Sequence, residues 1–203
     1  MTLVCWSCRA AGVGAGVALC PACGVVQPPG QATPFERLDV PRAFAAALAA
    51  DDDKALERAW LTKSRAVHPD RFARKSDAER RYAVEQTAAL NDAYRAIRDP
   101  FDRASWLVKD AGVDLAKLDQ RMLHAMMEAR ELAEESAHDK AAVVDEARAK
   151  FASLMATLPA ALAHLDDVAA LKRAAVTLAE MKTWARLVDD LGGGKLIATM
   201  DGR

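Results

Sequence analysis

The 203-residue sequence has few aromatic side chains, almost no net charge and no long apolar run. Aromatic residues make up 5% of the chain, and the formal net charge is −1. A near-neutral chain has no overall electrostatic attraction to nucleic acid or to an anionic membrane surface. No stretch approaches the roughly 18 consecutive apolar residues that a membrane-spanning helix needs. We therefore expect no nucleic-acid partner and no membrane segment.

Sequence signals of secretion and catalysis are also absent. The first residues lack the basic stretch, apolar core and small-residue cleavage site of a secretory signal. The chain has no Gly-rich phosphate loop, no nucleophile elbow and no closely spaced His pair for a metal. We expect a cytoplasmic protein that is not an enzyme.

Glycine and proline are sparse after residue 41, where Ala, Leu, Glu, Lys and Arg dominate. These side chains lose little rotamer freedom in a helix, so the sequence predicts a mostly α-helical protein. Proline and glycine in 27–34 predict a linker, and AGVD at 111–114 predicts a second boundary. We expect four parts: residues 1–32, 33–110, 111–195 and a tail, 196–203.

All four cysteines lie in the first part, as CWSC (Cys5, Cys8) and CPAC (Cys20, Cys23). Two residues between thiolates let both reach one metal ion from a tight turn, and a short hairpin brings the second pair round to complete a tetrahedron. A reducing cytoplasm disfavours two disulfides, and redox-active pairs normally accompany a βαβ pattern that is absent here. We predict a small zinc-ribbon-like segment in which these cysteines hold a structural Zn²⁺ that supplies folding energy.

The second part contains two predicted helices. The first, residues 51–67, opens with three aspartates, which suit the positive end of a helix dipole. The second runs from Ser76, an N-cap with Glu79 three residues later, to Asp99 before a proline. A short basic loop would join them as an antiparallel pair.

The third part shows three amphipathic patterns with short connections, which predict an antiparallel bundle of three helices. The apolar faces consist of Leu118, Met122, Met126, Ala129 and Ala133 in the first helix, Val144, Ala147, Phe151, Leu154, Leu158 and Leu162 in the second, and Leu171, Ala175, Leu178, Ala185 and Val188 in the third.

The loop between the first two helices contains His68, Pro69 and Asp70. This tripeptide suggests an acid–base pair, an ordinary helix-stop turn or a recognition element. An enzyme site needs a third group, such as a nucleophile or an oxyanion donor, and the other histidines are scattered through the third part. Basic residues flank the loop and favour recognition; those on the preceding helix are Arg58, Lys63 and Arg65.

A basic helix, a His-Pro-Asp loop and a second antiparallel helix resemble the J-domains of co-chaperones that act on DnaK-class ATPases. The segments HPDRF, LNDAYRAIRDPFDRASWLVKDAGVDL (90–115) and MMEARELAEE (126–135) are similar to the HscB co-chaperones of iron–sulfur cluster assembly. The resemblance covers about residues 34–191, and the four-cysteine segment is similar to the zinc-binding extension of eukaryotic members. It implies a J-domain at 33–110 and a scaffold-binding bundle at 111–195.

In J-domains, the loop and the adjoining basic helix dock on the nucleotide-binding domain of the partner and stimulate its ATP hydrolysis. The resemblance implies that a DnaK/HscA-class ATPase is the partner, and several weak charge contacts would make the docking fast and reversible. The implied chaperone-binding residues are His68, Pro69, Asp70, Arg58, Lys63 and Arg65.

In the HscB family the first bundle helix binds the iron–sulfur scaffold protein, an IscU-type partner. The implied scaffold-binding residues are Leu123, Met127, Glu128, Glu131 and Glu135. All but Glu128 are spaced by four and form one stripe. The other interpretation places Leu123 and Met127 in the bundle core.

One position departs from the family pattern. An aromatic residue in the last helix, which helps to contact the scaffold, is replaced by Thr177, and Trp184 lies two turns on. The predicted function is a co-chaperone that binds the cluster scaffold, delivers it to the chaperone and stimulates the ATPase. The alternative is a J-domain co-chaperone for another client protein.

Overall fold

The structure is a computed structural model that describes residues 3–42 and 50–197. The described chain divides into two compact units, one formed by residues up to Arg98 and one by residues from Asp99 onward. Helices dominate both units, which confirms the predicted mostly α fold class. No helix within the described ranges is long and apolar enough to cross a bilayer.

The first unit begins with two short antiparallel strands, β1 (Leu3–Val4) and β2 (Ala11–Val13). A single antiparallel bridge between Leu19 and Val26 follows. The buried residues Cys5, Val13 and Cys20 form the core of this cysteine module, with Val17 and Val25 packed against them. Two thiols thus take the place of large apolar side chains in a very small core.

Three α-helices and a short 3-10 helix follow in the described residues of the first unit, 33–42 and 50–98. The bounds are α1 (Pro34–Leu38), α2 (Ala50–Ala66), the 3-10 helix (Pro69–Phe72) and α3 (Asp77–Ile97). The predicted capping box at Ser76 is confirmed, because its hydroxyl accepts from the Glu79 N–H and the Glu79 carboxylate accepts from the Ser76 N–H. Helix α1 was not predicted, although Thr33 and Glu36 form the same local pattern.

Side-chain contacts show that α2 and α3 run antiparallel, as predicted. The Trp60 ring stacks on Tyr94 with centroids 4.6 Å apart, and its indole N–H donates to Asn91 Oδ1 at 3.0 Å. At the other end of α2, the Val67 carbonyl lies 3.5 Å from the Thr87 hydroxyl. Residue numbers therefore increase along α2 while the numbers of the contacting residues on α3 decrease. The connecting loop lies at one end of this antiparallel pair.

Residues 99–197 of the second unit form four helices: α4 (Pro100–Asp110), α5 (Gln120–Glu135), α6 (Ala137–Leu162) and α7 (Val168–Asp190). Helices α6 and α7 are antiparallel, since Lys150 lies over the Trp184 ring while Arg148 donates to the Gly193 carbonyl. Arg130 on α5 pairs with Asp190 on α7 at 2.5 Å. The predicted apolar faces of these helices are buried or half-buried.

Two features of the second unit were not predicted. Asp99 caps the N-terminus of helix α4: its carboxylate accepts from the N–H groups of Phe101 and Asp102, and Pro100 occupies the first helical position. By its packing α4 belongs with the C-terminal helices, whereas from the sequence it falls in the second predicted part, 33–110. The tail predicted from residue 196 begins with Leu196, which packs against the bundle core, and Ile197, which is buried; its remainder, 198–203, lies outside the described residues.

Candidate functional site

The four cysteines of the module converge on one point. The Cys5 and Cys23 sulfurs are 3.8 Å apart, as are those of Cys8 and Cys20, and all four sulfurs lie within 4.8 Å of one another. A disulfide would need about 2.05 Å between sulfurs, and all four cysteines are free. The spacing is that of four ligands around a single metal ion, and the cluster could hold one.

Backbone turns around each pair aim the sulfurs inward. Arg9 and Gly24, the residues that follow the two pairs, both adopt left-handed backbone geometry, with φ of 62° and 72°. The N–H groups of Ser7 and Cys8 point at the Cys5 sulfur at 3.4 and 3.5 Å. These N–H donors stabilise negative charge on the sulfur that a metal would bind.

The thiols affect one another's ionisation in opposite ways. Burial acts to raise the pKa of Cys5, but hydrogen bonds from the N–H groups of Cys8 and Ser7 and from the neighbouring thiols outweigh it and lower this pKa to about 6. A backbone hydrogen bond at Val25 acts to lower the pKa of Cys23, but the three neighbouring thiols together with burial raise it to about 12. Four thiolates this close repel one another, and a bound cation would remove that penalty.

The cysteine module is anchored to the helices of the first unit. The buried Gln27 side-chain amide lies 3.3 Å from the Cys5 sulfur, and the Gln27 carbonyl accepts from the Gln86 side chain on α3 at 3.0 Å. The Trp6 ring meets the Tyr82 ring on α3 edge-on, with centroids 5.6 Å apart. Arg37 on α1 donates to a carbonyl within the stretch predicted to be a linker. That stretch is therefore fixed to the module and to the helices.

Gly16 brings the module into close contact with α1. A Cβ atom at this position would lie 2.6 Å from the Glu36 carbonyl oxygen and 3.2 Å from the Arg37 nitrogen. Only a residue without a side chain allows the two backbones to approach so closely. The loop around Gly16 therefore packs directly against the backbone of α1 at Glu36 and Arg37.

The His-Pro-Asp loop is held at both ends and exposed in the middle. Val67 before it and Phe72 after it are buried, while the Asp70 side chain is 91% exposed. The His68 carbonyl accepts from the Arg71 N–H at 2.9 Å, and His68 Nδ1 accepts from the Asp70 N–H at 3.4 Å. The loop is thus a rigid turn that presents a solvent-exposed carboxylate.

The three basic residues predicted on the helix before the loop differ in exposure. Arg58 and Arg65 are exposed on α2, whereas Lys63 is half-buried. Burial lowers the pKa of Lys63, and the Asp39 carboxylate partly opposes that shift. Lys63 also lines a cleft with the module loop that contains Gly16. Arg58 and Arg65 are the more accessible cations of the predicted set.

Helix α5 carries two apolar stripes, one residue apart. Met126 and Ala133 lie in the bundle core, whereas Leu123 and Met127 are 50% and 61% exposed. The interpretation of Leu123 and Met127 as core residues is therefore wrong. Leu132 is also exposed, although no sequence pattern indicated it.

The acidic residues of α5 lie on the exposed part of the helix. Glu128, Glu131 and Glu135 are all exposed, and Glu128 pairs with His124 at 3.2 Å. Together with Leu123 and Met127 they form a continuous apolar and acidic surface, called here the α5 stripe. A protein with a hydrophobic spot beside basic residues would match it.

Trp184 does not extend any exposed surface. Its ring is only 5% exposed and packs in the bundle core, with Lys150 4.4 Å above its centroid. Thr177 is partly exposed, and its hydroxyl donates to the Arg173 carbonyl at 3.2 Å. Trp184 therefore cannot replace an exposed aromatic side chain at position 177.

Comparison with known proteins gives a consistent set of relatives, although no protein-family model matches the chain. A co-chaperone protein HscB homolog of Bordetella petrii is 43% identical over 121 residues, which are 57% of this chain and 71% of that protein. The HscB homolog of Bordetella avium is 38% identical over 127 residues, 59% of this chain and 76% of that protein.

Two solved structures share this fold over most of the chain. The crystal structure of human co-chaperone protein HscB covers 94% of this chain and 97% of its own, with a TM-score of 0.77 at 23% identity. The chaperone HscB from Vibrio cholerae covers 80% of this chain and 96% of its own, with a TM-score of 0.64 at 27% identity. The human structure thus shares the fold over nearly the full length described.

Proposed function

The chain belongs to the HscB co-chaperone family, and we propose that it serves iron–sulfur cluster assembly. In this proposal it binds an IscU-type scaffold protein, delivers it to a DnaK/HscA-class chaperone and stimulates the ATPase of that chaperone. Residues 33–110 act as the J-domain and residues 111–195 bind the scaffold. The exposed His-Pro-Asp loop is the observation that carries the proposal.

The loop suits recognition because its geometry is fixed before any partner arrives. Pro69 restricts the backbone, and buried neighbours on both sides hold the turn, so little conformational entropy is lost on docking. The Asp70 carboxylate is exposed to solvent, with one oxygen 3.5 Å from His68 Nδ1, and it can still meet a cation of the chaperone. Arg58 and Arg65 add exposed positive charge for a nearby acidic surface. The chemistry of ATP hydrolysis belongs to the partner.

The α5 stripe is the proposed scaffold-binding surface. Its apolar part offers Leu123 and Met127, whose burial against a partner removes apolar area from water. Its acidic part, Glu128, Glu131 and Glu135, would give orientation and a faster encounter. Thr177 in place of an aromatic side chain reduces the apolar contact that α7 can offer.

We propose Zn²⁺ as the metal of the cysteine module. Tetrahedral Zn²⁺ with bonds of about 2.3 Å to sulfur sets neighbouring sulfurs about 3.8 Å apart. The Cys5–Cys23 and Cys8–Cys20 separations of 3.8 Å support that geometry. Four protein ligands leave no open position for a substrate, so the ion would be structural. The cysteines bind Zn²⁺ only as reduced thiols, and the cytoplasm keeps thiols reduced. This requirement supports a cytoplasmic location.

Steady-state ATP hydrolysis by a DnaK/HscA-class chaperone tests the proposal. The wild-type chain should raise the rate, and Asp70→Asn should abolish the increase because it removes the exposed charge while keeping the side-chain shape. Asp92→Asn, which removes an exposed carboxylate from α3, is the matched control and should stimulate like wild type. Equal stimulation by Asp70→Asn and wild type would remove the loop from the proposed mechanism.

A further inference from the structure

A groove in the second unit lies outside the residues assigned to the chaperone and to the scaffold. It is formed by α4, α7, the connector after α4 and the stretch after α7. Its volume is about 440 Å³, within the range of about 300–1,000 Å³ that is usual for ligand-binding clefts. The groove is therefore large enough to hold several side chains of a bound molecule.

The floor of the groove is apolar. Phe101 and Ile197 line it and are themselves buried, and Leu115 and Leu118 are half-buried at its side. These side chains come from three separate segments, so they form a surface that only the folded unit presents. An apolar side chain packed against them would be removed from water without a steric clash.

The rim of the groove is basic. Lys109 on α4 and Lys182 and Arg186 on α7 are exposed, and Asp102 is the one carboxylate among the lining residues. Three cations against one carboxylate give a local charge of +2 on a chain whose net charge is −1. Within the ranges 3–42 and 50–197, none of the three cations forms an ion pair with another residue. Lysine and arginine stems can lie along apolar surface while their charged ends meet an anion.

Ser105 supplies a buried polar group in the same groove. It is 9% exposed, and its hydroxyl has no hydrogen-bond partner among the described residues. Phe101, Ser105 and Lys109 are spaced by four on α4, so the hydroxyl lies on the helix face that lines the groove. A buried hydroxyl without a partner is costly, and an oxygen of a bound chain would satisfy it.

We propose that this groove binds an acidic, amphipathic peptide segment of a partner protein. Its apolar side chain would lie on the floor, its carboxylates would meet Lys109, Lys182 and Arg186, and a backbone carbonyl would accept from Ser105. Three cations match several carboxylates in one peptide, whereas a single fatty carboxylate offers one charge. The site is independent of the His-Pro-Asp loop and of the α5 stripe.

The test is an NMR titration of the full ¹⁵N-labelled chain with a capped hexapeptide of alternating Asp and Leu. Amide shifts should concentrate in 101–109 and 182–186, and Lys182→Glu with Arg186→Glu should weaken binding by about tenfold. Ser105→Ala should weaken it less, and added salt should weaken it in wild type. Lys172→Glu with Arg173→Glu makes the same charge change on exposed positions of α7 outside the groove and should leave affinity unchanged.

Three results would overturn the proposal. An Asn–Leu hexapeptide that binds equally well would show that the basic rim does not matter. A control double variant that loses as much affinity as the groove variant would indicate general charge attraction. Amide shifts of groove residues with octanoate but not with the hexapeptide would show that the groove binds a small carboxylate and not a peptide.

Discussion

Gly16→Ala is expected to loosen the cysteine module from α1. The added methyl group would lie 2.6 Å from the Glu36 carbonyl oxygen and 2.9 Å from its carbon, where contact normally needs well over 3 Å. Because both atoms are backbone, neither can rotate away, and such overpacking costs about 1–3 kcal/mol. The Glu36 carbonyl also accepts from the Asp39 N–H that ends α1, so a shift would disturb this cap.

Hydrogen exchange of the Trp6 indole N–H reports the loosening, because this group donates to the Val26 carbonyl at 2.7 Å. A cost of 1–3 kcal/mol in local opening corresponds to exchange faster by about 5- to 150-fold. A local probe is needed because two units cannot be treated as one two-state transition.

Gly14→Ala is the matched control, since its nearest neighbour would be a Val17 methyl carbon at an ordinary 3.5 Å. Both substitutions restrict the unfolded chain equally, so this contribution cancels in the comparison. Gly14→Ala should exchange at or below the wild-type rate. Equal exchange in the two variants would refute the close approach of the module to α1.

Three further outcomes are expected. The Thr33 N–H and hydroxyl lower the pKa of Glu36 below 4.5, so the stabilisation of α1 by this cap is complete above pH 4.5 and is lost as the pH falls through the lowered pKa. A pH titration of the Thr33 amide signal should show this loss. Glu36→Gln should abolish the pH dependence of that signal. Glu131→Lys with Glu135→Lys should weaken calorimetric scaffold affinity by about tenfold or more, whereas Glu134→Lys should not, and unchanged affinity would exclude the α5 stripe. A zinc chelator should release the metal and remove the Trp6–Tyr82 contact seen by NMR, while the Trp184 signal persists; an unaltered Trp6 would contradict a metal-dependent module.

Local signals were predicted well from the sequence. The capping box at Ser76 and Glu79 depends on residues three apart, and the cysteine cluster is recognisable from the spacing of its four cysteines. Helices α1 and α4 carried equally local signals, Thr33 with Glu36 and Asp99 with Pro100, and could have been found. Patterns that act within one turn of chain are readable without the fold.

Contacts between distant segments were not predictable in the same way. Gln27 and Gln86 are 59 residues apart, and nothing in the linker-like composition around Gln27 indicates that it joins the cysteine module to α3. On α5, Met126 and Met127 follow two stripes of equal spacing, and only packing against α6 and α7 decides which is core. Exposure of the α5 stripe therefore needed the structure.

One ATPase measurement with four arms shows whether this chain couples a scaffold protein to a chaperone ATPase. The chaperone is assayed alone, with the chain, with the scaffold, and with both. We expect stimulation by the chain and a further increase when the scaffold is added. In Glu131→Lys with Glu135→Lys, only that further increase should be lost. A rate that the chain leaves unchanged, or that the scaffold fails to raise further, would contradict this coupling.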